Sequence, residues 1–557
     1  MPQITINGTA CEFSKGQTII QAADAHGVEI PRYCYHPGLS IPANCRICLA
    51  EVSQLNPKTG KLERIPKLMP TCHTAAVDGM VVSTVSEPAR ENQKQVMEFL
   101  LINHPVDCPV CDQAGECTLQ DYSYQHGNAQ SRFQEQKIKQ PKKDVGEHVL
   151  LYSDRCIMCT RCVRFTREVT GTNELMVSGR GGTESIDVFP GQALEAAGMS
   201  GNVVDLCPVG ALLDKDFLFK QRVWFLKRVP SIDGITASGD NIWVEQNEGR
   251  VWRLKPRENA AINQWWMTDE VRYGWKFIHS DERLTLPTMR GAAVDGADPA
   301  GAWNAALSRA DALLRGAVAS RTGVALAVSP MLSCEDAFLL AHTALAYDPD
   351  AILGIGPVPV SGSDRTVGTF TISAEKAPNA RGVRRTLEAV AASFPGRSSG
   401  ATVHDWSALR AALAKRAGAA VILTGNYPGA WQTPELIAAV NGHPLLLLDT
   451  LRGPLCSSAE VVMPAATWLE KDGSFESARG HLQGFCRAIE PVGAARSEGQ
   501  VAIDLDAIRR GVKGDHFDVA SIRAEMGATA AMEKFATLCQ PIDAARRATS
   551  DMQFVEI

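Results

Sequence analysis

A chain of 557 residues is too long for one hydrophobic core and predicts about three to five domains. With 45% hydrophobic and 21% charged residues it leaves no large disordered fraction, and a net charge of −6 offers no electrostatic footprint for nucleic acid. No run approaches the ~18 apolar residues that span a bilayer, and residues 1–6 open as a strand with no basic-then-apolar leader, so a cytoplasmic or peripheral chain is expected.

The 16 cysteines divide the chain, because twelve lie from Cys11 to Cys207 and none lies between Cys207 and Cys334. In a reducing compartment such clustering predicts metal or cofactor ligation and not a disulfide framework.

In chain order, residues 4–7 and 11–13 read as short strands turned at Gly8, followed by a helix over 18–26. Cys11 has no partner at ligand spacing and is expected to be a small buried hydrophobe. Cys34, Cys45, Cys48 and Cys72 follow at C-x10-C-x2-C-x23-C on a Pro/Gly/Asn-rich loop. Four thiolates, two per iron, are what a [2Fe–2S] cluster needs; a zinc knuckle is the alternative. Residues 56–66, before the fourth cysteine, read as an inserted hairpin. Residues 88–103 read as a helix with Val96, Phe99 and Leu100 at helical spacing.

The helix leads to His104, Cys108, Cys111 and Cys117, an H-x3-C-x2-C-x5-C set that alone serves zinc or a cluster equally well. The neighbouring cysteine groups tilt it to a cluster, whose potential a neutral imidazole would raise. Residues 121–150 are polar and read as an exposed crossover. Then come Cys156, Cys159 and Cys162 at C-x2-C-x2-C with a remote Cys207-Pro208, the spacing that holds a [4Fe–4S] cluster. Arg155, Arg161, Arg164 and Arg167 around it offset cluster charge or form a solvated face; the sequence leaves both open.

Four segments in this order carry a resemblance: Pro31-Arg32-Tyr33-Cys34-Tyr35-His36-Pro37-Gly38, Asn44-Cys45-Arg46-Ile47-Cys48, His104-Pro105-Val106-Asp107-Cys108-Pro109-Val110-Cys111, and Asp154-Arg155-Cys156-Ile157-Met158-Cys159-Thr160-Arg161-Cys162. Together they resemble the large iron–sulfur subunit (the G subunit) of respiratory complex I, NADH:quinone oxidoreductase. The resemblance implies one [2Fe–2S] centre on Cys34, Cys45, Cys48 and Cys72. It implies two [4Fe–4S] centres, one on His104, Cys108, Cys111 and Cys117 and one on Cys156, Cys159, Cys162 and Cys207. It further implies an electron relay from an NADH/flavin subunit toward quinone, peripheral on the cytoplasmic side of the inner membrane, with other complex I subunits as partners.

Residues 230–257 resemble the small β-rich domain that opens molybdopterin-dependent oxidoreductases, but the cysteines that some relatives carry there are missing. Residues 300–510 alternate helix-like (303–318, 334–346) and strand-like (324–328, 421–423, 445–448) pieces, which predicts parallel α/β layers. Residues 459–473, Ala459-Glu460-Val461-Val462-Met463-Pro464 onward, are similar to the molybdopterin oxidoreductase fold. The expected architecture is therefore multidomain, α+β and α/β. It comprises a [2Fe–2S] ferredoxin-like domain (1–80), [4Fe–4S] domains (81–120 and 121–221), a small β-rich domain without a cluster (222–290), a degenerate molybdopterin-oxidoreductase-like α/β domain (291–510) and a tail (511–557). Cys334, Cys456, Cys486 and Cys539 are expected to be structural. No G-x-G-x-x-G or Walker pattern is present, so neither NADH nor ATP is expected to bind; residues 208–333 hold no cysteine for a cluster that would feed a molybdopterin, so no NAD, flavin or molybdopterin is expected in this chain. The alternative is a molybdopterin-containing subunit of a formate dehydrogenase-type enzyme.

Overall fold

The first hairpin shows how local sequence sets the N-terminal unit: β1 (Gln3–Ile6) and β2 (Thr9–Glu12) are joined by Asn7 and Gly8, both at positive φ. Two left-handed residues make the tight turn whose twist matches antiparallel strands. Helix α1 (Ile19–Ala25) buries Ile19, Ile20, Ala22 and Ala23 under the sheet, and the Gln21 side chain accepts from the Thr18 N–H at its start. The sheet is completed by β3 (Leu49–Leu55), β4 (Leu62–Arg64), β5 (Met69–Pro70) and β6 (Val81–Ser83). Its order is β2-β1-β6-β3-β4, with β1 parallel to β6. β3 and β4 form the expected hairpin before Cys72, with Leu55 opposite Leu62. Cys11 is fully buried beside Ile4, Ile6, Ala50 and Val52.

The computed structural model describes residues 1–294, 298–397, 402–538 and 541, and two units divide it, residues 1–226 and 227–557. Within the first unit, helix α2 (Glu87–Leu101) carries Pro88 in its first turn, where a missing N–H costs little. Its buried stripe is Ala89, Gln93 and Met97; Phe99, expected on the inner face, is 79% exposed. Residues 121–150 are not one crossover either. Helix α3 (Thr118–His126) runs into them because Leu119 and Tyr122, one turn apart, bury against Tyr33 and Met97.

Strand β7 (Lys142–Asp144) pairs with β8 (Val149–Tyr152), and β8 pairs with a strand over Leu212–Asp214. The register sets Leu151 opposite Leu212. Because the pair is antiparallel, the end of β8 that leads to Cys156 lies beside the start of the 212–214 strand that Cys207 precedes, so residues far apart in the chain meet. Three antiparallel strands, Lys227–Ile232, Asn241–Asn247 and Arg250–Pro256, begin the second unit.

The second unit then builds a seven-stranded sheet. Its five parallel strands, in chain order Val324–Val328, Ile352–Ile355, Ala420–Thr424, Leu445–Asp449 and Val461–Pro464, lie in spatial order 2-1-3-4-5. That is a doubly wound layout. Strand side chains alternate between two apolar cores, Leu326 and Val328 facing one, Ala325 and Ala327 the other. Cys334 is fully buried in the first core; Cys456 and Cys486 are half-buried, and Cys539 lies outside the described residues. Of the tail, Val519–Gly527 is helical. No helix among the described residues is long and apolar enough to cross a membrane.

Candidate iron–sulfur sites

Three groups of expected ligands come together, all in the first unit. The Cys34 and Cys45 sulfurs are 3.4 Å apart, and those of Cys48 and Cys72 are 3.6 Å apart. Two thiolates at about 2.3 Å from one tetrahedral ion stand about 3.8 Å apart, so each pair is dimensioned for one iron. Contact with Cys34 lowers the pKa of Cys45, and contact with Cys72 lowers that of Cys48, which favours thiolate, the ligating form.

Cys156, Cys159, Cys162 and Cys207 line a single void of about 350 Å³ whose other walls include Leu151 and Ile186. Burial pushes all four thiols up, Cys207 to about 11. Four buried thiols in an apolar chamber become stable thiolates when cationic iron is shared among them. His104, Cys108, Cys111 and Cys117 line a second void, of about 260 Å³, closed by Gly210. A methyl group at Gly210 would stand 2.2 Å from the Cys111 sulfur, so the chain keeps glycine where the ligand needs the room. His104 Nδ1 is buried without a hydrogen-bond partner, and burial lowers the imidazole's pKa, leaving a neutral ring with a free lone pair. Donor chemistry, paired spacing and an orphaned nitrogen all fit iron–sulfur clusters. The Cys156 and His104 sets line voids, and no three His, Cys, Asp or Glu among the described residues are placed to hold one metal ion.

Backbone conformation serves the same end. Ala43 and Arg46 flank Cys45, Met158 and Thr160 flank Cys159, and Val106 precedes Cys108, all at φ between 50° and 60°. Left-handed residues between extended or helical ones turn successive N–H groups to one side and form anion-binding nests; the Met158 N–H points at the Cys156 sulfur, 3.4 Å away. These non-glycine residues carry no sequence signal, since any residue type can be held there when the loop demands it.

The four arginines separate. Arg155 and Arg164 are 3% and 4% exposed, Arg161 borders the larger void, and Arg167 alone is on the surface, paired with Glu168. Arg155 clamps Asp107 of the His104 loop at 2.6 and 3.1 Å and lies over the Tyr152 ring. Arg164 donates to the carbonyls of Cys34 and Cys159.

Family models match this layout segment by segment. A 2Fe-2S iron-sulfur cluster binding domain covers residues 2–87 and an NADH-ubiquinone oxidoreductase-G iron-sulfur binding region 93–132. The NADH-quinone oxidoreductase subunit 3 ferredoxin-like domain covers 146–213, and an NDSU1/NuoG-like 4Fe-4S domain covers 226–276, where this chain has no cysteine. A molybdopterin oxidoreductase model covers 451–506. Among curated proteins, the chain is 43% identical over 306 residues to the mitochondrial NADH dehydrogenase (ubiquinone) iron-sulfur protein 1 of Solanum tuberosum, covering 55% of this chain and 40% of that one. It is 40% identical over 290 residues to the G subunit of NADH-quinone oxidoreductase from Rickettsia felis, covering 52% and 41%. The chain thus spans about two fifths of the relatives it matches. A chain of a solved NAD+-reducing [NiFe]-hydrogenase is 28% identical over 40% of this chain and 91% of its own, at a TM-score of 0.34. Over residues 2–276 the chain is similar, segment by segment, to the NuoG-like large iron–sulfur subunits of NADH-quinone oxidoreductases.

Proposed function

We propose that this chain relays electrons inside an NADH:quinone oxidoreductase, from a flavin-bearing partner toward quinone. It does so through a [2Fe–2S] cluster on Cys34, Cys45, Cys48 and Cys72 and [4Fe–4S] clusters on His104, Cys108, Cys111, Cys117 and on Cys156, Cys159, Cys162, Cys207. When bound, each cluster supplies reversible one-electron storage. The observation that carries the reading is that the three ligand groups interlock. The Cys156 group touches the first through Arg164 and through Asn44, whose amide donates to the Met158 carbonyl, and touches the second through Arg155, which reaches Asp107 and the Gly210 carbonyl. In this reading the Cys156 group is the middle of the relay. The protein's own part is to keep water from the thiolates with Leu151, Ile157, Ile186 and Val209, and to hold ligand loops rigid while charge changes. His104, neutral where the other ligands are anionic, makes its cluster the easier to reduce, other things equal. The chain sits in a membrane-bound complex as a peripheral subunit on the cytoplasmic side.

The molybdopterin-like segment raises the second reading, a formate dehydrogenase-type enzyme. Two features speak against it. Cys334, the cysteine in the first half of the α/β domain, is buried and bonded to Asn379, beyond the reach of a substrate. The carboxyl ends of the parallel strands, where such sheets bind ligands, are filled by Asn426, Asp449, Lys471 and Glu498 bonded to one another and to neighbouring backbone. A methyl group at Gly425 would stand 2.1 Å from the Asp449 carboxylate. The test is a reductive titration of the purified chain: uptake of about three electrons, one per cluster, is expected, with no molybdenum or tungsten and no formate oxidation. Stoichiometric molybdenum in this subunit would replace the relay reading with the enzyme one.

A further inference from the structure

We infer that Arg164, assisted by Arg161, is a positioning and potential-setting residue shared by the [2Fe–2S] and Cys156-group clusters. It locks their ligand loops together and raises both reduction potentials with one permanent charge. The inference rests on the ligand assignment above.

The geometry is specific to these two centres. A single nitrogen, Nη2 of Arg164, donates to the carbonyl of Cys34 at 2.6 Å and to that of Cys159 at 3.3 Å, one ligand residue from each group. Its other terminal nitrogen donates to the Ser40 carbonyl, on the loop between Cys34 and Cys45. Ser40 in turn is held by Glu168, one helical turn beyond Arg164, at 2.6 and 2.8 Å. Arg161 repeats the pattern, reaching the carbonyls of Tyr35, beside Cys34, and Leu206, beside Cys207. Each arginine therefore ties a residue at or next to a ligand of one cluster to a residue at or next to a ligand of the other.

Among the described residues no carboxylate hydrogen-bonds either guanidinium: the terminal nitrogens donate to carbonyls and Arg164 Nε to the Thr160 hydroxyl, while Glu168 stands near enough to offset part of the Arg164 charge. Arg155 differs here, because Asp107 neutralises it. A guanidinium keeps its proton under all working conditions, and a buried charge is poorly screened by salt. Adding an electron to either cluster adds negative charge beside this positive pair, which Glu168 offsets only in part, so the pair favours both reduced states. His104 and its three cysteines make no hydrogen bond to either arginine, and their cluster serves as the internal reference.

The test is an EPR-monitored redox titration of the holo chain, comparing wild type with Arg164→Gln and Arg164→Lys. Arg164→Gln should lower the midpoint of both the [2Fe–2S] and the Cys156-group signals by about 59 mV or more, a tenfold change in each one-electron equilibrium. The His104-group midpoint should stay in place, and Arg164→Lys, which keeps the charge, should restore most of the shift. If Arg164→Gln instead loses those two signals while the third persists, and Arg164→Lys regains them, the clamp itself is shown. Full iron content with unmoved midpoints would overturn the inference, as would equal shifts of all three signals, or loss of all three from both variants. Absence of cluster signals from the wild type would sink the ligand assignment and not this inference about it.

Discussion

Replacing Cys162 by serine is expected to lower iron from about ten to about six per chain while the other two cluster signals persist. Cys162 is 7% exposed and, from the helix over Arg161–Arg164, lines the larger void together with Cys207 and the apolar Leu151, Ile186 and Val209. A serine hydroxyl would remain protonated where a thiolate is needed, so three thiolates would have to hold a cube built for four. The other ligand groups come from separate loops with their own nests, which is why their clusters should survive. With the middle centre gone, electrons entering at one outer cluster have no near neighbour, and passage through the chain should stop although two clusters remain reducible. Unimpaired passage in a chain that has lost this cluster would show that the Cys156 group is not the middle of the relay.

The second large effect lies in the other unit and is one of stability. Lys471 is 4% exposed and bridges Asp336, at 2.8 Å, and Glu498, both fully buried. Attraction to the two carboxylates raises the Lys471 pKa against the opposing effect of burial. Burial and the nearby Asp336 charge, against the pull of Lys471, raise Glu498 to about 7. Lys471→Met would leave two buried carboxylates facing each other, and breaking such a set by removing one partner costs about 3–5 kcal/mol. The pH dependence follows from the sign of the remaining shifts. Without the lysine's pull, the folded-state pKa of Glu498 stands still further above its unfolded value, so the folded form binds more protons and stability falls as pH rises above about 4.5. Denaturant unfolding followed by tryptophan fluorescence should therefore show a larger loss at pH 8 than at pH 5, with cluster spectra unchanged. A loss below about 1 kcal/mol at pH 8 would mean that water reaches the triad.

These two sites also mark what the sequence can and cannot convey. Cys156, Cys159 and Cys162 are legible because ligation needs fixed residue types at fixed short spacing, and the parallel strands are legible because a strand buried on both faces reads as an apolar run, as in Val324–Val328 and Leu445–Asp449. Cys207 stands out through its Cys-Pro pair, but what brings it to Cys156 is the pairing of Leu151 with Leu212, a long-range register with no local signature. The arginines need burial to be read: Arg164 and Arg167 look alike in sequence, yet one is enclosed by ligand carbonyls and the other faces water. Asp336, Lys471 and Glu498 meet only because three segments far apart in the chain converge at the carboxyl ends of the parallel strands. Helix α3 escapes the sequence because two apolar residues, Leu119 and Tyr122, anchor an otherwise polar segment, and Phe99 misleads because helical spacing fixes a stripe but not which side of it is covered.

The central claim is that twelve residues of the first unit hold three iron–sulfur clusters. Metal and acid-labile sulfide analysis of the purified, anaerobically handled chain tests it most directly: two, four and four irons predict about ten irons and about ten sulfides per chain, with no zinc. About one zinc with about six irons and six sulfides would show that one of the four-ligand sets is a structural zinc site and would contradict the account.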